Sequence, residues 1–320
     1  MHVKVSVVVV TYNSAAVIGE CVRPLSRCEN IELVVLDNAS SDHTLRILAS
    51  EAPDATVIRS DENLGFAKGV NLAVGQARGD AVLLLNPDAR ISAEEVLALA
   101  QTMEDAPDIG IIAPTLTQPT GRLTIREGGR QPDLISVFNH YSGLSRLSNR
   151  YHRFEGLYLL HTHDLETRDV DWVSGACMMI RREIWDALQG LTERWFMYAE
   201  DLEFCLRVRQ SGTRIVMSAE QRGTHVVGGS AGSEVSKKAN PAWVVNLYDL
   251  YKWQLAQNRI QSLAWKASVT AGLLSRSAAF FLKSLRRNPR SALWRAESHK
   301  FLSYTRSLVA ESSRIGGGTT

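Results

Sequence analysis

From Val5 to Ala113 the chain repeats one pattern: a short apolar run, a polar tip, then a stretch with helical periodicity. Val5–Val10 is a continuous β-branched run, as a strand buried on both faces requires, and it passes directly into Thr11-Tyr12-Asn13. The pattern predicts a helix over 14–27, interrupted or ended near Pro24, then a second strand over 32–36 ending in Asp37. Ser41 or Asp42 is placed to cap a helix running to about Ser50. A short strand over 56–59 precedes a helix over 65–77 closed by Gly79, and a strand over 81–85 ends in Asn86-Pro87-Asp88. Ser92 with Glu95 three residues on forms a capping box for a helix over 93–103, ahead of a strand over 109–113. Strands alternating with helices imply an α/β fold with a doubly wound, mostly parallel sheet. In such sheets ligands bind beyond the carboxyl ends of the strands, where Thr11-Tyr12-Asn13, Asp37-Asn38 and Asn86-Pro87-Asp88 all fall.

Each of these tips has a plain reading and a chemical one. Asn86-Pro87-Asp88 is good turn chemistry, yet a carboxylate at a strand end also suits Mg²⁺ or Mn²⁺, hard cations that prefer oxygen ligands. Such an ion would bridge two phosphates and neutralise a departing nucleoside diphosphate. Asp37 either sits in a loop or accepts hydrogen bonds from a pyrimidine imide N–H or a ribose. The run Asn63-Leu-Gly65-Phe-Ala-Lys68-Gly69-Val-Asn71 opens a helix, whose N-terminus favours phosphate, but Gly-x-x-x-Gly matches neither nucleotide-loop fingerprint. Further on, a helix over 200–210 opens with Glu200-Asp201. A carboxylate there is either a cap or a general base for an acceptor hydroxyl. Trp195-Phe196-Met197-Tyr198 before it reads as core in preference to a sugar-stacking wall. His225, after a strand over 214–217, is a lone histidine with the alternative role of metal or phosphate ligand.

Order weakens from 118 to 170, where glycine, proline and scattered histidines predict a long loop region, and returns over 171–181. After Pro241 the chain reads as helical. Four cysteines without zinc spacing read as reduced, mostly buried thiols of a cytosolic protein. The first apolar run is too short for a signal segment, and no uncharged stretch reaches the roughly 20 residues that span a bilayer.

Together the motifs resemble glycosyltransferase family 2, whose catalytic domain has the GT-A fold. The resemblance runs from Val5 to about Gly229. It rests on Val-Val-Thr11-Tyr12-Asn13, Leu-Asp37-Asn38-Ala-Ser-Ser-Asp42, the 63–71 run, and Ala-Arg-Gly-Asp80 leading to Leu-Leu-Leu-Asn86-Pro87-Asp88. It continues through Trp172-Val-Ser-Gly175 to Glu183 and Phe196-Met-Tyr-Ala-Glu200-Asp201 to Arg207. It implies a GT-A catalytic domain over 1–230, Rossmann-like, with 118–170 as a loop-rich acceptor or lid region; residues 231–320 lie outside the resemblance and read as a basic helical extension. It further implies inverting, metal-dependent transfer from a nucleoside-diphosphate sugar. By that analogy Thr11, Tyr12 and Asp37 hold the base, with Asn13, Asn63, Gly65, Lys68, Asn71 and Asn86 lining the nucleotide-sugar site. Asp88 ligates Mg²⁺ or Mn²⁺ with His225 as candidate second ligand, Asp201 beside Glu200 is the base, and Trp172 and Gly175 lie near the acceptor. Asn86 stands where the family's metal motif has a first carboxylate. Asn-Leu-Gly-Phe-Ala with Asn-Pro-Asp is similar to the rhamnosyltransferase branch of bacterial cell-surface polysaccharide synthesis. That branch implies dTDP-L-rhamnose as donor, with UDP-galactofuranose or another UDP- or GDP-sugar as the alternative. The acceptor is then a saccharide, free or linked to a polyprenyl diphosphate.

The net charge of +2 conceals an asymmetry. Residues 251–320 hold 12 Lys/Arg against 2 Asp/Glu, a charge of +10, which leaves −8 on the first 250. Leu263, Ala267, Ala271, Leu274, Ala278, Phe281 and Leu285 fall on one helical stripe, and Lys266, Arg276, Lys283 and Arg287 on another side. A basic amphipathic helix predicts either contact with the inner face of the plasma membrane or a helical cap with a solvated basic face. Nucleic acid is not expected, because aromatic residues are not interleaved with the charges. A nucleotidyltransferase would carry a Gly-rich basic loop after the first strand, where Thr-Tyr-Asn-Ser stands instead. A non-catalytic nucleotide-sugar binder is disfavoured by the intact Asp88, Asp201 and His225.

Overall fold

The computed structural model describes residues 5–117, 127–160, 166–226, 240–286 and 288–315. In chain order the elements begin β1 (Val5–Thr11), α1 (Ile18–Val22), β2 (Ile31–Asp37), α2 (Thr44–Glu51), β3 (Thr56–Arg59), α3 (Phe66–Val74) and β4 (Ala81–Leu85). They continue with β5 (Ala89–Arg90), α4 (Ala93–Asp105), β6 (Ile109–Thr117), β7 (Gly128–Gly129), α5 (Leu134–Ser142), β8 (Arg168–Asp169), β9 (Trp172–Val173) and β10 (Cys177–Arg181). The last are α6 (Arg182–Ala187), α7 (Glu200–Gln210), β11 (Arg214–His225), α8 (Ala242–Leu250), α9 (Arg259–Ser284) and α10 (Ser291–Ile315).

Two compact units result. One comprises Met1–Gln131 with Tyr158–Ser236, the other Pro132–Leu157 with Lys237–Thr320. The first holds a sheet in the order β3-β2-β1-β4-β10-β6-β11-β5, with β8 against β11 and a separate β7–β9 pair. Strands β3, β2, β1 and β4 are parallel, and β6 and β11 are parallel, while β10 runs antiparallel between β4 and β6. The sheet is mixed and mostly parallel, as in GT-A folds. Val5, Val7, Val8 and Val9 of β1 are all buried, so both faces of the sheet are covered, as a run without polar alternation demands.

Most predicted elements appear, with shifted ends. The first helix is confined to Ile18–Val22, with turns through Arg27 around Pro24. α3 stops at Gly75, not Gly79. Ser92 Oγ accepts from Glu95 N, as the capping box requires. β11 is far longer than the predicted strand, so His225 ends a strand and does not sit in a loop. A bulge between Met217 and Arg222 keeps β11 paired with β6 along that length.

The second unit differs more from expectation. Residues 132–157, expected as part of a loop region over 118–170, supply α5 and two 3₁₀ turns and fold with the C-terminal helices. Residues 118–126 and 161–165 lie outside the described residues. Trp265 explains the grouping: its indole N–H donates to the carbonyl of Pro132 at 2.8 Å, and its ring stacks on Tyr248 and Tyr251. A Cβ on Gly272 would meet the Tyr141 ring at 2.4 Å, so only glycine lets α9 approach α5 this closely. The buried side of α9 is Trp265, Lys266, Val269, Gly272, Leu273, Ser277 and Ser284. The apolar stripe from Leu263 to Leu285 is turned to solvent. The expected solvated basic face is not observed: Lys266 is buried and donates to Val309 O at 3.2 Å, and Arg276 packs over the Tyr141 ring at 4.7 Å. Lys283 is exposed, and Arg287 lies outside the described residues. Among the described residues no helix is long and apolar enough to cross a membrane.

Candidate active site

Register alone assembles the floor of the site. Thr11 pairs with Asp37 across β1 and β2, and Val8 pairs with Leu84 across β1 and β4, so three polar tips emerge side by side. Thr11 and Asp37 are buried, and Asp37 Oδ2 accepts from Ser40 N at 3.1 Å. Asp37 Oδ1 and Thr11 Oγ1 have no hydrogen-bond partner. A buried polar oxygen without a partner costs about 1–3 kcal/mol, so two at adjacent strand ends mark a place where a ligand would supply donors. Tyr12 next to them is exposed. Asn13, at φ +50°, is committed to the loop: its Oδ1 accepts from Ser41 N at 2.8 Å.

The 63–71 run is occupied mainly with packing. Asn38 Nδ2 donates to Gly65 O at 3.0 Å, and Asn63 Oδ1 accepts from Gly65 N at 3.0 Å. Gly65 has φ +83°, and a Cβ there would fall 2.3 Å from the carbonyl oxygen of Phe196. The close approach is therefore to the segment before Glu200. Asn71 holds the same stretch of chain, donating to Leu191 O at 2.9 Å and Glu193 Oε1 at 3.0 Å and accepting from Leu191 N at 2.9 Å. Its amide thus serves a positioning contact with the segment entering α7. Lys68 is exposed on the first turn of α3.

Asn86-Pro87-Asp88 forms a turn that also presents Asp88 to His225. Ala89 N donates to Asn86 O at 3.0 Å, closing the turn, and Asn86 N donates to Ala176 O at 2.9 Å. The β5–β11 pairing sets Ala89 opposite His225, which brings His225 Nε2 to 3.2 Å from Asp88 Oδ1. The other ring nitrogen, Nδ1, bonds the carboxylate of Glu127. Burial alone would lower the His225 pKa, but the two flanking carboxylates raise it to about 10, so a cation bound at Nε2 would have to displace that proton.

The donor set fits a divalent cation. Adjacent ligands of an octahedral ion with bonds of about 2.1 Å lie about 3.0 Å apart, close to the Asp88–His225 separation. Among the described residues no three acidic, His or Cys side chains form a ready cage. Asp88 and Glu127 lie on opposite nitrogens of one ring, so Asp88 and His225 would hold such an ion and Glu127 would orient His225 without sharing it.

The segment Ser174-Gly175-Ala176 joins this pair to Asp201. Ser174 N donates to Glu127 O at 2.9 Å, Gly175 N to Asp201 Oδ2 at 2.9 Å, and Ala176 O receives Asn86 N. Leu202 N donates to Asp201 Oδ1 at 2.8 Å, so both oxygens are oriented while each keeps a lone pair for a hydroxyl. Burial raises the Asp201 pKa above the ordinary aspartate value. Burial, reinforced by Asp201, pushes Glu200 up to about 8, and its Oε2 is buried without a partner. The N–H donors on both Asp201 oxygens favour its charged form, whereas Glu200 Oε2 has no donor. Tyr198 and Ala199 both have positive φ, at 74° and 84°, so the chain turns sharply into α7. That turn overrides the reading of 195–198 as core: Trp195 is buried, but Phe196, Met197 and Tyr198 are exposed. Trp172 is buried, its indole N–H donating to Arg130 O at 3.0 Å, which makes it core where an acceptor contact is expected. Cys21, Cys177 and Cys205 are free and buried, and burial raises all three thiols.

Sequence reasoning missed Glu127, Ser174 and Ala176. Glu127 borders a stretch without periodicity, and the other two act through backbone atoms.

Residues 6–188 match the family model described as Glycosyl transferase family 2. An N-acetylglucosaminyl-diphospho-decaprenol L-rhamnosyltransferase of Mycobacterium tuberculosis is 27% identical over 220 residues, covering 64% of this chain and 70% of the relative. Among solved structures, a Pyrobaculum calidifontis mannosyltransferase in complex with GDP-Man and Mn²⁺ superposes with a TM-score of 0.60. It is 18% identical and covers 97% of this chain and 88% of that one. Residues 1–349 of TarS from S. aureus, in complex with UDP-GlcNAc, give a TM-score of 0.52 at 18% identity, over 98% of this chain and 92% of that one. Both share its GT-A fold.

Proposed function

The chain belongs to glycosyl transferase family 2, and from that premise we propose that it moves a sugar, with inversion, from a pyrimidine nucleoside-diphosphate sugar to an acceptor hydroxyl. The reading rests above all on one observation: Asp88 and His225, 137 residues apart, meet at 3.2 Å beyond the end of β4, oriented by Glu127. Mg²⁺ or Mn²⁺ bound there would neutralise charge on the diphosphate. The unpartnered Asp37 Oδ1 accepts from a base imide N–H, and Thr11 Oγ1 bonds the same moiety. Asp201, its oxygens oriented by Gly175 N and Leu202 N, takes the proton of the acceptor hydroxyl. The acceptor oxygen bonds to the anomeric carbon as the bond to the diphosphate breaks, so the nucleoside diphosphate leaves from the opposite face. The exposed Phe196 and Tyr198 flank the acceptor.

For the donor we favour dTDP-L-rhamnose, and for the acceptor a saccharide on a polyprenyl diphosphate. The support is the name of the M. tuberculosis relative together with the Asn-Leu-Gly-Phe-Ala and Asn-Pro-Asp runs. An acceptor of that kind would keep the enzyme at the cytoplasmic face of a membrane. The test is thermal stabilisation by a panel of nucleotide-sugars with Mn²⁺, followed by transfer assays with the ligands that stabilise. A ligand at one hundred times its Kd contributes about 2.7 kcal/mol to stability. The expected result is a raised Tm with dTDP-L-rhamnose and Mn²⁺, lost in D88N. A UDP-sugar acting alone would overturn the donor assignment, and no response to any nucleotide-sugar would overturn the function.

A further inference from the structure

The helix α9 is amphipathic in the wrong sense for a soluble helix. At 100° per residue, Ile260, Leu263, Leu274, Phe281, Leu282 and Leu285 fall within one arc about 100° wide, with alanines filling the positions between them. The six large side chains are 44–78% exposed. No charged residue falls in the arc, which runs the length of α9 and one residue beyond its end, about 39 Å. Lys266 and Arg276, which an outward basic face would have displayed, are turned into the unit. Monomeric proteins scatter exposed apolar side chains singly, and a continuous stripe of this kind marks an interaction surface.

Charge selects the occupant. Lys283, Arg286 and Arg290 are exposed at the C-terminal end of the stripe and Arg259 at its start, on a segment carrying +10. A second copy seated on the stripe would set one such cationic segment against another. An anionic surface is complementary to it. We propose that the outer face of α9 lies in the headgroup region of an anionic bilayer, with the apolar stripe among the upper acyl chains and the flanking Lys and Arg on phosphate groups. The proposal stands on the surface of α9 and not on the transfer reaction, so either can fail without the other.

The test is flotation of the full chain with vesicles of phosphatidylcholine alone or with phosphatidylglycerol added, without donor or acceptor. Binding at least tenfold tighter to the anionic vesicles is expected, weakening in 0.5 M salt. L263E/F281E should reduce it at least tenfold while leaving the circular dichroism and Tm unchanged, because both side chains point outward. R286Q/R290Q should remove the preference for anionic lipid and leave the apolar stripe intact, so the lipid selectivity is tested even if the first pair impairs folding. Failure to bind either vesicle, or full binding by both variants, would overturn the proposal. So would a dimer on size exclusion that L263E/F281E dissociates, since the occupant would then be a second copy.

Discussion

His225 Nε2 lies 3.2 Å from Asp88 Oδ1, while Nδ1 of the same ring is held by the Glu127 carboxylate. Three distant parts of the chain thus fix one imidazole, and in the proposed metal site Glu127 would orient the ring without ligating the ion. Outer-shell carboxylates of this kind typically contribute about 10–100-fold to metal affinity or activity. E127Q keeps the size and one acceptor oxygen but removes the charge. It is expected to raise the Mn²⁺ concentration giving half-maximal transfer by about tenfold or more, with little change in rate at saturating metal. A metal titration of activity measures both. A fall in the saturated rate with unchanged metal dependence would place Glu127 in the chemical step instead.

Asp201 and Glu200 are adjacent and both buried around their carboxyl groups, yet the backbone treats them differently. Asp201 receives N–H donors on both oxygens, from Gly175 and Leu202, whereas the backbone donors of Glu200 and Tyr198 leave Glu200 Oε2 unpartnered. The proposed function puts the charge on Asp201. D201N should lower kcat by about 10²–10⁴-fold, the span of general base catalysis. E200Q imitates the protonated glutamate and should retain kcat within about tenfold. Single-turnover rates of the two variants decide it, and the reverse order would exchange the roles.

Much of this was legible because strand ends in a parallel sheet are set by apolar runs. Val5–Val10 and Ala81–Leu85 locate Thr11 and Asp88 with no knowledge of what pairs with what. Position within a strand was less legible: the end of β11 depends on its partners β6 and β5, so His225 read as a loop residue. Glu127, Ser174 and Ala176 were invisible because their contacts join residues far apart in sequence, two of them through backbone groups that every residue type carries. Asn13 and Asn71 show a further limit: their side chains suit ligand recognition, yet an amide serves equally well to tie loops together, and only the fold reveals that Asn71 reaches Leu191. The stripe on α9 was drawn correctly from periodicity, but periodicity does not say which side faces out. The bulk of Trp265 and the absence of a side chain at Gly272 decided that.

Gly65 couples the motif at the start of α3 to the segment entering α7. A Cβ would stand 2.3 Å from Phe196 O, and φ is +83°. An L residue in that region pays about 1–2 kcal/mol in backbone strain before any clash. Phe66 N also donates to Phe196 O at 2.9 Å, so relieving the clash breaks a hydrogen bond. G65A should destabilise by about 2–4 kcal/mol in urea unfolding. It should also raise the acceptor KM, since Phe196–Tyr198 would move. Wild-type stability in G65A would contradict the observed packing.

Glu200 also predicts how stability follows pH. Burial and the charge on Asp201 raise its pKa from 4.5 to about 8 in the folded chain. Below pH 4.5 the carboxyl is protonated whether folded or not, and it contributes nothing to the difference. As pH rises toward 8 the unfolded chain releases the proton freely while the folded chain retains it, so stability declines across this window and levels off above it. Glutamine has the shape of the protonated acid and no proton to lose. E200Q should therefore match the wild type near pH 4.5 and exceed it progressively, on the order of 4 kcal/mol by pH 8. Urea midpoints of both proteins at pH 4.5, 6 and 8 test this. A difference independent of pH would mean that Glu200 is ionised in the fold, and the single charge of the pair would have to be reassigned.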